Sequence, residues 1–198
     1  DDTNTDQQVG SINFGNNSDS DLGLITVNTV GAANSGAIIL STALGGTTSE
    51  RMRIGSNGAI YRGLASANST FTYAELTKSH AGNDASNNAD IAFVITFTNI
   101  SNTYDNAQIL IDAATSGNSS PANVGAVQIE VRQRASSLSV LSTENPSYGD
   151  GLSVSTSHSG LVLTVNILSS GNSTFTVGAR CRVLTGYYGL TSLTATNQ

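Results

Sequence analysis

The chain has 198 residues, enough for one sizeable domain or a small domain with an accessory segment. Only 11% of them are charged, so Ser, Thr and Asn must solvate the surface with hydroxyls and amides rather than ions. A formal charge of −6 with no basic cluster excludes a nucleic-acid surface, and no apolar run approaches the roughly 20 residues of a membrane-inserted helix.

Apolar residues recur at period 2, interrupted by Gly, Asn, Ser and Asp clusters, which predicts an all-β chain rather than a helical or disordered one. The first third carries short predicted strands at Gly10–Phe14, Leu22–Val27, Ala37–Ala43, Glu50–Ile54 and Ala59–Arg62. Longer ones follow at Thr70–Leu76, Asp90–Thr98, Ala107–Asp112, Val124–Gln133, Leu138–Thr143, Gly151–Ser157, Leu161–Leu168 and Thr174–Tyr187. Their turn spacing fits an antiparallel β-sandwich or jelly roll. Ile91 to Phe97 is almost continuously apolar and predicts a strand covered on both sides, whereas Val127, Ile129 and Val131 alternate with Gln128, Glu130 and Arg132 and predict one wet face. The chain therefore divides near residue 63 into a thin β shaft (1–63) and a β-sandwich head (64–198). It opens at Asp1 without a signal-type region and is expected to be a fragment or processed product.

Most of the local charge falls in Ser49-Glu-Arg-Met-Arg-Ile-Gly-Ser-Asn-Gly-Ala-Ile-Tyr61. Strand alternation puts Met52 and Ile54 on one face and Arg51 and Arg53 on the other. Asn57-Gly58 predicts a two-residue type I′ hairpin turn. So short a hairpin needs cover for its apolar face. An elongated trimer would supply it by burying Met52, Ile54 and Ile60 around its axis, with the arginines meeting carboxylates such as Glu50 of a neighbouring chain.

The succession of Gly10–Phe14, Ser35–Ala43, Gly45–Ile54 and Ser56-Asn-Gly58 resembles the shaft found before the terminal domain of bacteriophage and large-virus tail fibre proteins. The Glu50-Arg-Met-Arg-Ile54 motif is its most recognisable piece, while Ala59-Ile-Tyr-Arg-Gly63 departs from the Gly-Ile-Gly that usually follows the turn. The resemblance implies a homotrimer on a virion, joined to other tail proteins and extracellular when mature, whose head contacts a host-surface glycan or protein. For residues 64–198 this is analogy with sandwich heads in general. The rival expectations are a capsid spike or decoration protein without a receptor, a glycan-degrading tailspike, and a bacterial adhesin.

No catalytic constellation emerges, and an enzyme is not expected. His80 and His158 are expected in exposed loops, away from any nucleophile turn. Asp105, Asp112, Glu130, Glu144 and Asp150 offer carboxylates, but no spacing selects a pair. The runs 16–21 and 83–90 carry oxygen ligands that would suit calcium without matching an EF-hand, so no cofactor is expected and calcium is the alternative. Cys181 alternates within a strand and reads as a buried structural thiol. Sugar recognition sets aromatic faces beside amides and carboxylates. On that ground Tyr104, Asp105, Asn106, Tyr148, Asp150, Tyr187 and Tyr188 are collectively the candidate receptor residues, each stretch expected in a loop, while any single tyrosine better suits a core-capping position.

Overall fold

The structure, a computed structural model, describes residues 6–65, 70–81, 90–99, 104–117, 124–144, 152–169, 175–186 and 189–197. Among these residues the chain is all-β, and its strand pairings are antiparallel. Five strands, β1 (Gln8–Phe14), β2 (Gly23–Thr29), β3 (Gly36–Leu44), β4 (Thr47–Ile54) and β5 (Ile60–Ala65), form a meander in which each pairs with the next. The same ladder continues through β6 (Thr70–Ala81), β13 (Phe175–Thr185), β8 (Tyr104–Gly117), β9 (Val124–Arg134) and β10 (Ser137–Glu144). A second layer runs β11 (Leu152–Ser159), β12 (Val162–Ser169), β7 (Ile91–Phe97), β14 (Leu190–Asn197), and it meets the first where Leu190 pairs with Phe71.

The core lies between the two layers. Val127, Ile129 and Val131 of β9 point into it while Glu130 and Arg132 stay exposed, as the alternation predicts. Across from them stand Phe93 and Ile95 of β7 and Leu163 and Val165 of β12, all fully buried. Full burial of one such side chain stabilises by about 1.5–3 kcal/mol. On the other face of β7, Ala92 is buried, but Val94 and Thr96 are only half-buried, so the cover expected on both sides is incomplete. Cys181 sits inside the core on β13, where burial pushes its thiol far up and leaves it a packing residue.

The structure differs from the sequence expectation in four elements. β14 was not expected: a bulge sets Leu190 opposite Phe97 and Ser192 opposite Thr96, so Leu190 and Leu193, three apart, are both buried and the period of 2 is lost. β8 starts at Tyr104, so the stretch expected as a loop is the beginning of a strand. His80 lies in β6 and is half-buried, its Nδ1 2.9 Å from the Asp90 carbonyl, and His158 is an exposed residue of β11; neither is in a loop.

Candidate functional site

The charged motif is built around a bulge. Leu40 pairs with Met52 and Ser41 with Glu50, which leaves Arg51 as the extra residue of β4. Past the bulge the alternation is reset, and Glu50 falls on the same side as Arg53. Arg53 then donates from Nε to Glu50 Oε1 at 2.9 Å and from Nη2 to Oε2 at 2.8 Å. Within the chain, Glu50 therefore has a partner on its own strand. Arg51 is exposed and donates from Nε to the Thr42 hydroxyl at 3.0 Å.

The turn also departs from expectation. Ile54 pairs with Ile60, the Gly58 N–H donates to the Gly55 carbonyl at 2.9 Å, and Gly58 alone has positive φ, +79°. That is a type I turn followed by a left-handed glycine, not a two-residue type I′ turn. Asn57 is thereby released from the turn's backbone demands and serves through its side chain. Its Oδ1 accepts the Ala59 N–H at 3.0 Å, and its Nδ2 donates to the Leu193 carbonyl at 2.8 Å. Tyr61 Oη lies 3.2 Å from both the Leu193 nitrogen and its carbonyl oxygen, accepting from one and donating to the other. Asn57 and Tyr61 thus fasten the β4–β5 hairpin to β14, and Ala59 and Tyr61 are part of the main core.

One face of the meander is apolar and open. Register aligns Ile12, Ile25, Leu40 and Met52 in one row and Val27, Ile38, Ile54 and Ile60 in the next. Ile12 is 58% exposed, Ile38 43% and Val27 40%, while Met52, Ile54 and Ile60 are half-buried. Phe14, 54% exposed, extends the same face. Contiguous apolar patches of this kind mark interaction surfaces.

The same sheet face turns polar on reaching the head. Arg62 lies over the Tyr73 ring, 5.5 Å from its centroid, and the Tyr73 hydroxyl donates to Glu75 Oε2 at 2.5 Å. Burial and the Glu75 carboxylate raise the phenol's pKa. Asp112 accepts from Arg180 Nη2 at 2.7 Å and Arg182 Nη2 at 2.9 Å. Burial pushes its carboxyl up, but the hydrogen bond from Arg180 and the charges of both arginines prevail, and its pKa is lowered. Beyond this network the sheet carries a shallow groove of about 410 Å³ whose lining includes Asn106, Gln108, Glu130, Arg132, Leu141 and Leu184.

Of the expected receptor residues, Tyr104 and Asn106 lie on this outer face, and both are exposed. The Arg134 guanidinium covers one side of the Tyr104 ring, 5.2 Å from its centroid. Asp105 points the other way, 8% exposed, with Oδ1 accepting the Asn106 N–H at 3.0 Å and pressing on Gly186, where any Cβ would lie 2.1 Å from it. It is a structural carboxylate rather than a surface ligand group. Tyr148, Asp150, Tyr187 and Tyr188 lie outside the described residues. Gln108, Arg132, Leu141 and Leu184 were not singled out from sequence. Starting the strand at Tyr104 would have placed Tyr104, Asn106 and Gln108 on one face.

The acidic run 16–21 directs its oxygens to its own fold. Asn16 Oδ1 accepts the Ser18 and Asp19 N–H groups, and Asp21 Oδ2 accepts the Thr48 hydroxyl. Among the described residues no three His, Cys, Asp or Glu side chains group as a metal site. The second acidic run, 83–90, lies outside the described residues apart from Asp90.

No protein family and no curated protein matches the chain. Among solved structures, the tailspike protein of Acinetobacter phage vB_ApiP_P1 overlaps it with a TM-score of 0.31 and 14% identity, over 62% of this chain and 22% of the tailspike. The chain thus spans about a fifth of that protein's length, and an overlap this low assigns neither fold nor function.

Proposed function

We propose that the chain is the shaft-and-head portion of a phage or viral fibre, a non-catalytic attachment protein of the virion tail that works as a homotrimer. The observation that carries this reading is the open apolar face of β1 to β5, which continues into an open polar face on the head. Three copies packed on Ile12, Val27, Ile38, Met52, Ile54 and Ile60 would dry the first and leave the second available to a host glycan or surface protein. The Glu50–Ile54 resemblance supports the same assignment. In this reading Arg51, exposed at its bulge, joins Glu50 and Arg53 at the contact with a neighbouring chain. The passages β6 to β7, β7 to β8, β12 to β13 and β13 to β14 each change layer, which supports jelly-roll winding of the head. Residues 1–63 act as shaft and 64–198 as head, and attachment is strengthened by three weak sites acting together.

Glu130 and Asp112 are not spaced as a glycosidase pair. Glu130 pairs with Gln108, four residues from Asp112 on β8. At roughly 3.3 Å per residue that separation is about 13 Å, too wide for a glycosidase pair, and Asp112 is already engaged by two arginines.

Light scattering on the purified chain is expected to give three times its 20.3 kDa mass, and Ile38→Asp or Ile54→Asp to give single folded subunits. The wild-type trimer should block adsorption of the parent particle to its host without releasing reducing ends from host polysaccharide. A monomeric wild-type chain would refute the trimer, absence of competition would favour a structural spike or decoration protein, and released reducing ends would favour the tailspike.

A further inference from the structure

The groove on the head contains an unusual tile of polar side chains. Asn106 pairs with Arg132 and Gln108 with Glu130, so four planar groups form a two-by-two array about 5 Å across the strands and about 7 Å along them. Leu184 flanks the tile from β13, where it pairs with Gln108, and Leu141 from the bulge in β10; they are 53% and 48% exposed. Among the described residues, the side chains of Asn106, Gln108 and Arg132 make no hydrogen bond, and Glu130 has only the long one from Gln128, 3.5 Å. Tyr104 and Arg134 continue the surface at the strand ends.

Two amides, a guanidinium and a carboxylate present donors and acceptors side by side, and leucines supply C–H surface at both edges. The complementary ligand has polar groups that each donate and accept, on a ring with apolar patches and about the footprint of the tile. We propose that this tile binds a neutral pyranose residue of a host glycan. The inference rests on the attachment reading and narrows its ligand class. An acidic sugar or a phosphate would gain from Arg132 but set its charge beside Glu130, on a chain that is itself at −6. An apolar protein segment would desolvate four polar groups and leave them unpaired. The groups stand on adjacent strands of a continuous sheet, so their backbone positions are set before binding and only side-chain rotamers have to be ordered.

The test is a titration of the full chain, followed by saturation-transfer and amide NMR, with methyl glycosides of glucose, galactose and N-acetylglucosamine, and with glucuronic and N-acetylneuraminic acids as the charged set. Neutral glycosides should contact the protein and shift the amides of β8 and β9. Gln108→Ala and Glu130→Ala, both surface changes, should each weaken binding roughly tenfold, as expected for loss of one hydrogen bond to a charged or amide group. The Tyr73→Phe control, outside the groove, should not. Tighter binding of the acidic sugars, or neutral binding that the tile variants leave untouched, overturns the proposal. So does a loss of trimer mass in the tile variants without any sugar response, which would make the groove a subunit contact. A chain that blocks adsorption while no sugar perturbs the tile refutes this inference alone. A tile that binds neutral sugar in a chain that does not block adsorption refutes the attachment reading and keeps the site.

Discussion

Tyr61→Phe isolates the fastening of the β4–β5 hairpin to β14, because it keeps the buried ring and removes only the hydroxyl. In the wild type that hydroxyl accepts the Leu193 N–H and donates to the Leu193 carbonyl, both at 3.2 Å, between two buried residues. The carbonyl retains Asn57 at 2.8 Å, so the variant leaves one buried N–H without a partner. An orphaned buried donor costs about 1–3 kcal/mol. For a chain of this size, about 2 kcal/mol corresponds to a fall of roughly 4–8 °C in Tm. Asn57→Ala removes the other donor to the carbonyl and also the acceptor of the buried Ala59 N–H, and should cost about 1–3 kcal/mol. Because each single variant leaves that carbonyl one donor and the double variant leaves none, the double change should cost more than the sum. Urea and thermal unfolding at fixed protein concentration measure all three, and amide exchange at Leu193 reports the local effect. A Tyr61→Phe protein within about 0.5 kcal/mol of wild type, or a strictly additive double variant, would refute the fastening.

Asp112→Asn removes the charge that holds Arg180 and Arg182 together. Side chains 32–46% exposed limit the loss to about 1 kcal/mol at neutral pH. Since the folded-state pKa of Asp112 is lowered, this stability is present above the ordinary value of 3.8 and fades as pH falls below it. The gap between wild type and variant should therefore close in acid, and a pH-independent gap would contradict the pairing. Gly186→Ala would force a methyl to within 2.1 Å of Asp105 Oδ1 and should cost about 1–3 kcal/mol, seen as a lower urea midpoint with unchanged slope.

The all-β class and the wet and dry faces of β9 were legible because Val127, Ile129 and Val131 alternate without interruption. Bulges hid the rest. At Arg51 one extra residue moved Glu50 to the side of Arg53, where the two pair within the strand. At β14 another bulge set Leu190 and Leu193 at a spacing that reads as neither strand nor helix. The groove escaped notice for a different reason. Its residues come from three separate strands plus a displaced leucine, and only register brings Gln108 beside Glu130 and Leu184. Composition drew attention to tyrosine-rich stretches instead, and of the first of these Asp105 points inward beneath Gly186.

The ladder from β4 through β5 into β6, with Asn57 and Tyr61 bolting its corner to the last strand, joins the meander to the head by backbone hydrogen bonds. On the attachment reading, a ligand held on the outer face would be presented at an angle set by that ladder. A tug on that grip is carried by rungs of backbone hydrogen bonds, and a loose tether has no share in the load. Bending the joint would require those rungs to break first.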